Sequence, residues 1–163
     1  MTRKKSAVDA EQIKLLIREG EGLTVEFKER YTSRITEDIV AFANTRGGMV
    51  LIGVKDDGAV KGEHLTNNLK GKINSLARNC KPAISVELAQ AGRVVAVNVP
   101  EGSEKPYSCG SGYYRRLDGN TQKMNNDELR IMFAENEPLP FEEKTVRDFK
   151  FDPSSTVLRE PPA

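Results

Sequence analysis

The chain has 163 residues, 37% of them hydrophobic and 30% charged, with a formal net charge of +1. That length suits one domain with a sizeable core, and a charge so close to zero argues by itself for no class of partner. No apolar run approaches the roughly 18 residues of a membrane span, and the opening MTRKKSAVDA lacks an apolar signal stretch, so no membrane association and a cytoplasmic location are expected.

Thr2-Arg3-Lys4-Lys5 is a short basic arm, either a frayed terminus or a nucleic-acid contact. Asp9 has the position of an N-cap, with Gln12 completing a capping-box pattern. Ile13, Leu16 and Ile17 give the first helix its apolar face, and Gly20 stops it. EGLTVEFKE (residues 21–29) reads as the first strand and its approach. Val25 and Phe27 point to the core, and Glu26 and Lys28 to the opposite face, towards solvent or a site. Arg30 and Arg34 lie near the start of the next helix, where the dipole does not favour cations; that placement points to a ligand, or simply to solvent.

Ile35, Ile39, Phe42 and Ala43 fall on one face of that helix, which Asn44 and Gly47-Gly48 end. Arg46-Gly47-Gly48 serves as a C-cap, or exposes backbone N–H groups to a phosphate. Met49 to Val54 is a short, β-branched apolar run, expected as a central strand buried on both faces. Asp56-Asp57-Gly58 signals a hairpin whose second strand is Ala59-Val60-Lys61.

Thr66 caps a third helix carrying Leu69, Ile73, Leu76 and Ala77 inward, with Cys80 continuing the face and Pro82 marking its end. Ile84–Ala91 and Arg93–Val99 alternate as two half-buried antiparallel strands about Ala91-Gly92. A polar loop, SEKPYSCGSG, leads to the strand Tyr113-Tyr114-Arg115-Arg116-Leu117, and Asp118-Gly119-Asn120-Thr121 is a turn. Leu117 places its own face, with Tyr113 and Arg115, in the core, leaving Tyr114 and Arg116 for a ligand. Asn125 or Asn126 caps a last helix with Leu129, Met132 and Phe133 inward. Residues 1–134 form the expected domain. Residues 135–163 are Pro-rich and acidic, a linker or docking tail.

Three features carry chemistry. Aromatics interleaved with arginines suit a nucleic-acid surface: rings stack on bases and guanidiniums grip phosphate. Lys28, Arg46, Tyr114, Arg116 and Thr121 are the expected contacts, with Arg116 alternatively neutralising Glu26. Glu21, Glu26 and Asp56 would converge if the first strand neighbours the central one. Three converging carboxylates would hold Mg²⁺ or Mn²⁺ through oxygen. Two cysteines (Cys80, Cys109) and one histidine (His64) fit no zinc spacing, and reduced, structural thiols are expected. The glycines spell no nucleotide fingerprint, and Gly71-Lys72 is followed by Ile73, so ATP binding is not supported.

AFANTRGGMVLIGVKDDGAVKG, preceded by VEFKE and followed by GYYRRLDGNT, resembles the Schlafen-type AlbA-like domain over roughly Glu21 to Phe133. The resemblance implies a DNA-binding domain of prokaryotic transcriptional regulators, related to the Schlafen core. It also implies that Glu21, Glu26 and Asp56 match the carboxylates of Schlafen nucleases. A further, winged-helix domain after the tail is implied by the resemblance only. The expected fold is α+β, a mixed sheet of about five or six strands with helices packed on it. Nucleic acid, DNA or RNA, is the expected partner and a homodimer stays open. The alternatives are a Mg²⁺- or Mn²⁺-dependent endoribonuclease on that three-carboxylate site, and a protein-interaction or dimerisation module.

Overall fold

The computed structural model describes residues 9–137. The basic arm at residues 2–5 and the Pro-rich tail from residue 138 onward therefore lie outside the described residues. The chain divides into two units after Phe133, and the fold below is that of the first. It is α+β, with four helices, a mixed four-stranded sheet and a separate two-stranded hairpin.

The sheet contains β1 (Val25–Lys28), β2 (Gly48–Ile52), β3 (Glu87–Ala91) and β4 (Val94–Val99), in the order β1-β2-β4-β3. β1 runs parallel to β2, pairing Glu26 with Val50, and β4 is antiparallel to both β2 and β3. α1 (Ala10–Glu19) covers one face of the sheet, its Ile13 packed with Val25, Phe27, Leu51 and Ala96. α2 (Ile35–Asn44) and α3 (Asn67–Arg78) cover the other, packed on Val50, Ile52, Val95 and Val97. Covering both faces makes β2 apolar throughout. The hairpin of β5 (Tyr114–Leu117) and β6 (Asn120–Lys123) packs on α2. α4 (Asn126–Glu135) follows it.

The caps are those the side chains dictate. Asp9 accepts the Gln12 N–H at 2.9 Å, and Thr66 accepts that of Leu69 at 3.1 Å. At the end of α2, Gly47 takes φ +75° and its N–H reaches the Phe42 carbonyl at 2.7 Å. A Cβ there would meet the backbone of Val99 and Glu101 at under 3 Å, so the turn needs glycine for space as well as for φ.

Four sequence-based expectations change. Ala59-Val60-Lys61 is no strand; a single bridge joins Val54 to Val60, and the N–H groups of Lys61 and Gly62 both turn onto the Gly53 carbonyl. β4 is buried on both faces instead of one, because it lies inside the sheet between two helical layers. The expected single sheet of five or six strands becomes a sheet of four and a separate hairpin, because β5 pairs with β6 (Asn120–Lys123), a strand that begins where only a turn was expected, and the two pack against α2 and not on the sheet. Finally, α4 buries no residue: Phe133 stays 50% exposed, its ring set edge-on to Tyr113 at 6.1 Å. Among the described residues, no helix is long and apolar enough to cross a membrane.

Asn44 ties the hairpin to the core. Its buried amide donates to the carbonyls of Tyr107 (3.0 Å) and Tyr114 (2.9 Å) and accepts the Tyr107 N–H at 2.6 Å. Asn44→Ala strands three buried backbone groups. We expect urea denaturation to show a loss of about 2–3 kcal/mol, against under about 0.5 kcal/mol for the exposed Asn68→Ala.

Candidate functional site

Glu26 and Lys28 alternate with the core residues of β1 and so emerge on the face that α2 covers. β1 is an edge strand, and beyond it α2 supports the β5–β6 hairpin. The two side chains therefore point into the angle between sheet edge, helix and hairpin.

There they join a closed ring of five side chains. The Arg116 Nη1 donates to Glu26 Oε1 at 2.6 Å and to Thr121 Oγ1 at 2.9 Å. Thr121 in turn donates to Asp38 Oδ1 at 2.7 Å. The Lys28 ammonium lies 3.3 Å from Asp38 Oδ2 and 3.6 Å from Glu26 Oε2, closing the circuit. The Lys28–Asp38 approach is an ion pair without hydrogen-bond alignment, since Asp38 Oδ2 has no hydrogen-bond partner. Two anions and two cations leave the ring neutral. Burial raises the Asp38 carboxyl above its ordinary 3.8, with the Thr121 hydroxyl and Lys28 opposing the shift.

Arg116 is the deepest member, only 2% exposed. Its Nη2 also donates to the carbonyls of Gly22 (2.5 Å) and Val25 (3.1 Å), and its guanidinium lies 4.7 Å from the centre of the Phe42 ring. This overturns the expected facing of β5. Tyr114 and Arg116 are buried, and Tyr113, Arg115 and Leu117 are the half-exposed side. The reason is that α2 offers Phe42 and Asn44 to the hairpin, while Arg115 pairs outward with Glu128 of α4. Tyr114 and Arg116 are thus positioning groups, out of reach of a base or phosphate.

Arg46 also parts from the others. It is exposed in the turn after α2, near Glu101, and lines neither the ring nor the cleft beside it. The ring opens instead onto a cleft of about 510 Å³, lined by Lys28, Arg30, Arg34, Glu37, Asn120 and Thr121 among others. Arg34 leans on Glu37 at 3.3 Å, and Lys72 of α3 lies 5.7 Å over the nearby Tyr31 ring.

Glu21 reaches Glu26 through a tight turn. The antiparallel bridge Gly22↔Val25 sets residue 21 opposite residue 26. Partial desolvation first, then the charge of Glu26 and a hydrogen bond shared with it, then Asp56, raise the Glu21 carboxyl from 4.5 to about 7; Arg116 pulls the other way. Asp56 is exposed in the turn after β2, close enough to be felt but not to touch. Among the described residues no three His, Cys, Asp or Glu side chains sit close enough together to hold a metal ion. Both Glu26 oxygens already face cations, so in this arrangement the three carboxylates do not fit Mg²⁺ or Mn²⁺.

Asp38 is the member that sequence reasoning missed as a site residue. The signal was present: Ile35, Asp38, Ile39 and Phe42 stand at i, i+3, i+4 and i+7, so an acid occupies a core slot of the most apolar helix.

A family model described as Schlafen, AlbA_2 matches residues 21–125. The crystal structure of the DIP2311 protein from Corynebacterium diphtheriae is similar in fold, with a TM-score of 0.54 at 16% identity over 72% of this chain. The chain spans only 25% of the length of that protein. The solution structure of the N-terminal domain of a RecG-related protein from Nitrosomonas europaea aligns over 72% of this chain and 94% of that domain, at 23% identity and a TM-score of 0.49. No curated protein matches the chain.

Two measurements check the ring and the carboxylates. Arg116→Met removes four donated bonds and leaves Glu26 short of its closest cation, so unfolding should become easier by about 3–5 kcal/mol; Glu26→Gln, which keeps an acceptor, should cost less. Carboxyl chemical shifts should place the Glu21 midpoint near 7, and Glu26→Gln should return it towards 4.5. The sign for stability follows: a raised folded-state value favours the folded protein below pH 4.5, and that contribution is lost as pH rises towards 7.

Proposed function

The chain belongs to the Schlafen, AlbA_2 family, and on that premise we propose that it is a nucleic-acid-binding domain of a transcriptional regulator, with DNA as the expected ligand. The observation that carries this reading is the polar cleft over the ring, about 510 Å³ and flanked by Lys28, Arg30 and Arg34. Arg30 and Arg34 are exposed, and Lys28 is half-exposed at the floor. Each can neutralise a phosphate and release its condensed counterions. The Asn120 amide offers a further donor at the rim.

Glu29 and Glu37 interrupt the positive rim, so the cleft is no uniformly basic channel. Binding through it uses few phosphate contacts. Three cations imply a slope of log K against log salt of about −2 to −3, shallow for a duplex-binding protein. The ring beneath holds Lys28 in place without adding net charge, which keeps the anionic backbone from being repelled by Glu26 and Asp38.

A second reading, phosphodiester cleavage by Glu21, Glu26 and Asp56, requires a rearrangement that frees Glu26 from Lys28 and Arg116; what favours it is the placement of Glu21 opposite Glu26 across the Gly22–Val25 bridge, where desolvation first and the Glu26 charge next raise the Glu21 carboxyl to about 7. Paired carboxylates with displaced acidities occur at reactive centres more often than elsewhere. A single assay separates the readings. Labelled tRNA, single-stranded DNA and duplex DNA are titrated with the chain over a salt series, each with EDTA or Mn²⁺. Salt-sensitive shifts without fragments are the expected result. Arg30→Glu and Arg34→Glu should each reduce the salt slope by about one, and Arg46→Glu, at the far end of α2, should not. Mn²⁺-dependent fragments absent from Glu26→Gln would establish the second reading instead. No shift at low salt with any ligand, together with a stable oligomer, would replace both with the interaction-module reading.

A further inference from the structure

Cys80 and Cys109 are far apart in sequence, yet the chain sets them side by side. After α3 the backbone pairs briefly with the loop before β5: the Lys81 N–H donates to the Ser108 carbonyl and the Ser108 N–H to the Lys81 carbonyl, each at 2.9 Å. In that antiparallel register residue 80 stands directly opposite residue 109. A pair flanking a doubly hydrogen-bonded one is the close kind, with Cα atoms about 4.5 Å apart, and a disulfide accepts about 4.4–6.8 Å.

Both thiols are free. Each rests on a weak partner: Cys80 Sγ donates to the Leu76 carbonyl at 3.4 Å and lies 3.6 Å from the Thr36 hydroxyl. Cys109 Sγ lies 3.5 Å from the Ser111 hydroxyl and 3.7 Å from the Gly112 carbonyl. Cys80 is buried in the core cluster and Cys109 is half-exposed against it, so only Cys109 meets a dissolved oxidant directly.

We propose that Cys80 and Cys109 form a reversible intramolecular disulfide, and that this seam between α3 and β5 is a redox modification site whose oxidant is a low-molecular-weight disulfide. Cys109, as thiolate, attacks one sulfur of the oxidant and expels the first small thiolate, leaving a mixed disulfide on Cys109. Cys80 then loses its proton and attacks Cys109 Sγ, which expels the second thiolate. Two protein thiols are oxidised and one external disulfide is reduced to two thiols, which take up the two protons. The order follows from exposure. Burial also raises the Cys80 thiol above its ordinary value, with Thr36 opposing and Cys109 adding to the shift, which suits a resolving thiol and not a first attacker.

The bond has a consequence beyond the seam. Both sulfurs now rest against hydroxyls whose surroundings the bond would change, Thr36 in the first turn of α2 and Ser111. Ser111 also donates to Glu37 Oε2 at 3.3 Å and accepts the Tyr114 hydroxyl at 2.9 Å. Glu37 lines the polar cleft. Oxidation should therefore move resonances of Thr36, Glu37 and Ser111 together.

The test treats the full, folded chain with oxidised glutathione and maps peptides by mass spectrometry without reduction. A Cys80–Cys109 cross-linked peptide in monomeric protein, reversed by dithiothreitol, is expected. Cys80→Ala should stop at a glutathione adduct on Cys109, and Cys109→Ser should leave Cys80 unmodified. Wild-type protein that stops at the Cys109 adduct, dimerises through Cys109, or cross-links only in denaturant would overturn the proposal. The wild-type result decides it even where a variant fails to fold.

Discussion

A guanidinium with no side-chain exposure is the constraint on which the rest of this structure depends. Burying the charge of Arg116 is tolerable only with partners that satisfy it, because an unpaired ion in the interior costs several kcal/mol. Its partners come from four places: Glu26 and the Val25 carbonyl on β1, the Gly22 carbonyl in the preceding turn, Thr121 on β6, and the Phe42 face on α2. One side chain thus fixes a hairpin that shares no backbone ladder with the sheet. It also ties the hairpin to β1, through the Glu26 carboxylate and the Val25 carbonyl.

Asn44 performs the complementary task at the other end of the contact. Its amide holds the loop at Tyr107 and the first residue of β5 to α2. With Thr45 accepting the Arg116 N–H at 3.0 Å, the helix end specifies the register of β5 through directional bonds, not through apolar contact alone. α2 is therefore wrapped nearly all round, by the sheet on one side and the hairpin on the other, and eight of its ten residues are buried. Polar groups survive in so dry a place because nearly all of them have partners; the exceptions, Asp38 Oδ2 and Arg116 Nε, belong to side chains whose other polar atoms are bonded. The same scaffold holds Lys28 and Thr121 at the base of a polar cleft without adding net charge. Rigid support for a few exposed polar groups is what a recognition surface needs.

Much of this was readable from the chain. Asp9 and Thr66 as caps, the bounds of α2, the two-sided burial of the central strand and the alternation of Val25 and Phe27 against Glu26 and Lys28 all follow from local spacing. The approach of Glu21 to Glu26 was readable too, because Glu21 lies just before the strand that carries Glu26. The facing of Tyr114-Arg115-Arg116-Leu117 was not. Alternation gives two faces and does not say which is inward, and a leucine was a natural but wrong guide, since the buried face is satisfied by hydrogen bonds and by a ring under a guanidinium. Asp38 was passed over for a related reason: an acid in the first turn of a helix has a sufficient local explanation in the dipole.

The sequence by itself determined the four helices and most of the strands, that the central strand is enclosed, and which residues of β1 leave the core. Those properties depend on neighbours within a few positions, where periodicity, caps and glycine conformations act. Only the tertiary structure decided that Arg116 is buried, that Asp38 and Thr121 complete its ring, that Arg46 stands apart, and that Cys80 lies opposite Cys109. Each of these depends on a meeting of residues far apart in the chain, and charge or polarity alone does not say whether such a residue faces water or a partner. That choice rests on whether the fold brings enough complementary groups together to replace the solvent.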